Sequence, residues 1–60
     1  MNLYIYLKGK KEPLLFTADR IDVLDINLQG IDYKQIRYFR NGFSKSEYIE
    51  SKLIVKLKEK

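Results

Sequence analysis

Leu3, Ile5 and Leu7 alternate with Tyr4 and Tyr6 at the start of the chain, and Leu53, Val55 and Leu57 alternate with Lys52, Lys56 and Lys58 near its end. A period of two puts one set of side chains on a buried face and the next on the opposite face of a β-strand, whereas a helix groups apolar residues at three- and four-residue spacing. Both ends are therefore expected to be strands. Ile54 is the one apolar residue out of phase in the last strand, and the lysines on its outer face discourage edge-to-edge pairing with other chains.

The first strand leads into Lys8-Gly9-Lys10-Lys11, a polar, glycine-bearing stretch of hairpin length. Glu12 to Thr17 reads as the returning strand, with Leu14 and Phe16 on one face and Pro13 marking an edge. Ala18 to Leu28 supports two readings. As a strand, Ile21 and Val23 share one parity and Leu24, Ile26 and Leu28 the other, which requires a bulge or a change of face near Val23-Leu24. As a helix, Thr17 caps it, Ile21, Leu24 and Leu28 form the stripe, and Gly30 stops it. Ile, Asp, Val and Asn are indifferent helix formers, which favours the strand.

The next segment divides in the same way. Gln35 to Arg40 as a strand sets Ile36 and Tyr38 against Arg37 and Phe39, and Asn41-Gly42 is a strong two-residue hairpin signal leading into Phe43. The rival is a helix capped by Asp32 with Tyr33, Ile36 and Phe39 as its stripe, and the hairpin is favoured. Ser44 to Glu47 matches a capping box, so a short helical turn is expected across Glu47 to Glu50. The fold class that results is all-β: one compact domain spanning residues 1–60, a small curled sheet or barrel of five or six short antiparallel strands with one helical turn. The alternative is an α+β fold with a helix in 18–29 or 33–41.

Composition narrows the function. A chain of 60 residues buries only roughly 60% of the surface it exposes when unfolded, so small folds lean on staples or partners. With no cysteine and no histidine there is no disulfide framework, no ordinary zinc ligand set and no imidazole base, and the expectation is a protein that is not an enzyme and carries no cofactor. Asp19, Asp22 and Asp25 recur at every third position, but this is not the alternate-ligand spacing of a calcium loop, so no metal is expected. No run reaches the roughly 20 apolar residues that span a bilayer, and the N-terminus lacks the features of a signal peptide, so no membrane association and a cytoplasmic location are expected. Ile, Lys, Asn and Tyr supply 24 of the 60 residues, and their AT-rich codons point to a bacterial or phage genome.

Charge is localised. Between Tyr33 and Ser46 lie Lys34, Arg37, Arg40 and Lys45 with no acid, and they account for the whole net charge of +4, since the remaining eight cations match eight acids. Tyr33, Tyr38, Phe39 and Phe43 interleave with them. The binding residues expected are Tyr33, Lys34, Arg37, Phe39, Arg40 and Lys45, with Ile36, Tyr38 and Phe43 claimed for the core. The function expected is a small binding module that acts through a protein partner or as a homodimer. The alternative is nucleic acid, because cations neutralise phosphates and exposed rings stack on bases. Asp19, Asp22 and Asp25 are candidate partners for these cations within the chain or across a dimer.

Overall fold

A computed structural model describes residues 1–60. The N-terminal alternation forms β1 (Asn2–Leu7), which turns back through the lysine-rich tip into β2 (Leu14–Thr17). Their register sets Leu3 opposite Phe16 and Ile5 opposite Leu14, so the four apolar side chains share a face, as the periodicity requires. β2 is shorter than expected, beginning at Leu14 rather than Glu12.

Two residues then carry the chain into a second sheet. The Ala18 amide donates to the Met1 carbonyl (3.1 Å) and the Asp19 amide to the Phe39 carbonyl (2.9 Å), so this corner is bonded to both sheets, and Ala18 is small enough to be buried there. The second sheet is built from β3 (Arg20–Leu28), β4 (Ile31–Arg40) and β5 (Phe43–Glu50), in the order β3-β4-β5. A 3-10 turn (Ser51–Leu53) returns the chain to β6 (Ile54–Glu59), which completes the first sheet in the order β2-β1-β6. The molecule is thus all-β, made of two three-stranded antiparallel sheets, and it is not a closed barrel.

This arrangement bears out the favoured strands, decides between a bulge and a change of face in β3, and corrects the helical turn expected across Glu47 to Glu50. Neither 18–29 nor 33–41 contains a helix; they hold β3 and β4. β3 has no bulge, since its register with β4 runs unbroken from Arg20 opposite Phe39 to Leu28 opposite Ile31. Its apolar residues do change face, with Ile21 and Val23 against the core and Leu24, Ile26 and Leu28 on the outside. Glu47 to Glu50 are strand, because β5 pairs with β4 along its whole length, and that ladder outweighs a capping box made of local side-chain bonds. The one irregularity is in the first sheet: Tyr6 pairs with Lys56 and Leu7 with Ile54, which leaves Val55 as the extra residue. This bulge explains the out-of-phase Ile54, which joins the core edge beside Leu7, while Leu53 lies in the 3-10 turn.

The core is small. Leu3, Ile5, Ala18, Ile21 and Ile36 are buried, edged by Leu7, Phe16, Val23, Tyr38, Ile49 and Ile54. Three strands side by side span about 10 Å. Full stacking of two such sheets would be about that wide, yet the molecule measures 33 × 28 × 13 Å. The sheets therefore overlap over only part of their faces, and the rest of each face has no cover.

Both hairpins of the second sheet turn in two residues held at positive φ: Gln29 (53°) with Gly30 (83°), and Asn41 (50°) with Gly42 (79°). Two consecutive left-handed residues make the turn whose twist matches paired strands. At the first turn Asn27 braces the loop: its Oδ1 accepts from the Gly30 amide (3.2 Å) and its Nδ2 donates to Asp32 (2.8 Å). Gln29 is nonetheless a poor left-handed residue, and asparagine is a good one. Gln29→Asn is expected to stabilise the protein by about 0.5–1 kcal/mol, a rise of roughly 2–8 °C in Tm. An unchanged or lower Tm would show that Gln29 is not strained there.

Candidate functional site

Because 33–40 is a strand, its side chains alternate between two faces, and the six expected binding residues do not converge. Tyr33, Arg37 and Phe39 point to the outside of the second sheet. Lys34 and Arg40 share the opposite, core-side face with Ile36 and Tyr38, and Lys45 joins them through its pairing with Tyr38. Each half meets a different fate.

On the core side, Lys34 is taken up in an ion pair with Asp25 directly across from it on β3, the one pairing of the acidic stretch with a cation of the basic window. Asp22 pairs instead with Arg20 (3.2 Å), and Asp19 accepts from the Asn41 amide (3.3 Å). Arg40 and Lys45 have no carboxylate partner. With Tyr38, Asn41 and Phe43 they line an open depression of about 550 Å³ at the end of the β4–β5 hairpin. Its inner wall is continuous with the core, since the Tyr38 ring lies 5.4 Å from the Phe16 ring, centroid to centroid.

Phe43 overturns its assignment to the core. It is 75% exposed, the most exposed large apolar residue in the chain. Its place beside the turn, opposite Arg40, puts it beyond the end of the first sheet's cover. The Asn41-Gly42 signal located the turn, but only the partial overlap of the sheets left its first residue bare.

The outer face of the second sheet is a different surface. Leu24, Ile26 and Leu28 on β3 stand beside Ile31 and Tyr33 on β4, with Tyr48 across Gln35 on β5. None of these six is buried, and Leu24, Leu28, Ile31 and Tyr48 are exposed. Polar groups rim this patch. The Arg20 guanidinium covers the Phe39 ring at 5.3 Å, Arg37 lies across from Asp22, and Glu50 pairs with Lys52 (3.6 Å), while Gln35, inside the patch between Leu24 and Tyr48, donates to Ser46 (3.2 Å).

The remaining candidates are occupied or dispersed. Tyr4 and Tyr6, half-buried on the outside of the first sheet, lie under Lys60 (5.4 Å) and Lys56 (4.7 Å) and offer no bare aromatic pair. The lysine-rich first hairpin does not extend the basic depression. The Lys8 amide bonds the Leu53 carbonyl (2.9 Å) at one end of β1, whereas the corner beside Phe39 and Asn41 lies at the other. No three acidic side chains come together in a way that would hold a metal ion, and no helix is long and apolar enough to cross a membrane. No protein-family model, no curated protein and no solved structure matches the chain.

Proposed function

We propose that this protein is a small non-enzymatic binding module whose working contact is a second copy of itself, made through the outer face of the β3-β4-β5 sheet. The observation that carries this reading is surface area. A compact monomer of 7.2 kDa exposes about 4,100 Å². This chain exposes 4644 Å², an excess of about 500 Å², and Leu24, Leu28, Ile31 and Tyr48 stand exposed together on this one sheet face. A standard interface removes about 800 Å² from each partner, so a dimer contact here has to take in the polar rim as well as the apolar residues.

The placement of charge is compatible with a second copy. The molecule as a whole carries +4, which would repel a copy, but little of it is on the outer face, where Arg20, Arg37 and, at the edge, Lys52 stand against Asp22 and Glu50. Two such faces related by a two-fold axis bring apolar residues against apolar residues and keep their few charges at the rim.

Sedimentation velocity across a concentration series tests the reading. The expected result is a species of twice the 7.2 kDa chain mass. Leu24→Lys with Leu28→Lys, both at exposed positions, is expected to weaken association at least about a hundredfold by placing unpaired charges in the centre of the contact. Circular dichroism is expected to show the same strand content. A wild-type chain that stays monomeric throughout, or a double variant that still dimerises, would overturn the proposal.

A further inference from the structure

From the depression at the end of the β4–β5 hairpin we infer a site for single-stranded nucleic acid, with Phe43 as the base-stacking platform and Arg40 and Lys45 as the phosphate contacts. This site lies on the face opposite the proposed dimer contact and does not depend on it.

Three features of the depression converge. Phe43 presents its ring to solvent next to a turn held by two positive-φ residues, so the platform stands on a short, braced hairpin rather than a loose loop. An exposed ring costs a small protein solubility, and a base is the planar, sequence-tolerant surface that such a ring takes up. Arg40 stands directly across from Phe43, and Lys45, two residues further along β5, stands across from Tyr38. Cations thus sit beside the ring on both sides of the hairpin, and neither is neutralised by a carboxylate within 4.0 Å, in contrast to Lys34. The nearest acids limit the site rather than fill it. Asp19 is turned to the Asn41 amide, and Glu47 follows Lys45 on the same face, opposite Ile36.

These features favour a single strand over the other polyanions. An acidic peptide would satisfy Arg40 and Lys45 but would leave Phe43 bare. A duplex keeps its bases stacked on one another and shut to the ring, and two cations offer it little of the backbone neutralisation on which duplex binding rests. The cavity, about 550 Å³, is within the range of small-ligand sites, so the contact is one of a nucleotide or two.

Fluorescence anisotropy with a short fluorescein-labelled oligothymidylate at low salt tests the inference. Saturable binding is expected. Phe43→Ala, at a position too exposed to affect folding, is expected to weaken it about tenfold. Arg40→Gln with Lys45→Gln is expected to flatten the slope of log K against log salt by about 1.4, that is roughly 0.7 for each single-strand phosphate that is no longer neutralised. Arg37→Gln, on the other face, is expected to lose much less affinity than Arg40→Gln, and a Leu24→Gln, Leu28→Gln chain, which adds no charge to attract the oligonucleotide, is expected to bind as the wild type does, so that loss of dimerisation and loss of this site are read separately. No binding, equal binding of Phe43→Ala and wild type, or equal binding of the duplex form or of polyglutamate would overturn the site. The last of these outcomes would assign the two cations to an acidic protein instead.

Discussion

Ile36→Ala is expected to abolish the cooperative folding transition, or to leave it only at temperatures well below that of the wild type. Ile36 is at the centre of β4 with 0% exposure, and it is one of only five buried residues. Truncating a buried isoleucine costs about 2–5 kcal/mol in forfeited transfer energy and residual cavity. At about 0.05–0.15 kcal/mol per residue, a chain of this length has roughly 3–9 kcal/mol in total. The substitution therefore removes a large fraction of the stability, and no second core layer exists to relax around the hole. Val55→Ala provides the contrast. Val55 is the bulged residue of β6, 61% exposed, and its loss is expected to stay within about 0.5 kcal/mol. Thermal melts followed by circular dichroism, at one protein concentration so that any dimer contributes equally, decide the matter. Melting of Ile36→Ala within a few degrees of Val55→Ala would mean that the core is not where the burial places it.

Replacing Asn41-Gly42 with Ala-Ala is expected to cost about 2–4 kcal/mol, since each alanine would occupy a left-handed conformation worth about 1–2 kcal/mol of strain. No atom lies within 4 Å of a Cβ added at Gly42, so the penalty there is conformational and not steric. The substitution also threatens the depression. The turn sets Arg40 opposite Phe43, and a one-residue slip of β5 would send Phe43 and Lys45 to the outer face. Asn41→Gly keeps a left-handed residue at that position and is expected to hold the fold and the register. Thermal melts, together with amide exchange across β4 and β5, separate the two variants. Equal stability of Ala-Ala and wild type would show that the strand ladder, and not the turn, sets the register.

Several parts of this architecture were legible because one local property determines them. The alternation of Leu3, Ile5 and Leu7 identified β1 and its buried face, and Asn41-Gly42 identified a turn that needs two positive φ values. Gln29-Gly30 forms the same turn without the same signal, since glutamine seldom occupies that conformation, and Gly30 was open to reading as a helix stop. The capping box at Ser44 to Glu47 misled for the opposite reason. Its side-chain code is real for an isolated segment, but here the segment pairs residue by residue with β4.

The binding residues show the same division. By itself the sequence determined that both ends are strands, that its net charge is concentrated between Lys34 and Lys45, and that rings are interleaved with those cations, because composition and period are properties of the chain; it favoured all-β while leaving a helix open in 18–29 or 33–41. Only the tertiary structure decided that Lys34 is spent on Asp25, that Arg37 and Phe39 face away from Arg40 and Lys45, and that Phe43 is bare. It also decided that Leu24, Ile26 and Leu28, whose parity is opposite to that of Ile21 and Val23, lie on an uncovered face. The physical reason is that a strand has two faces of equal standing, and which one is buried depends on where another sheet lies over it. Here two small sheets overlap only in part, so apolar residues beyond the overlap are left at the surface.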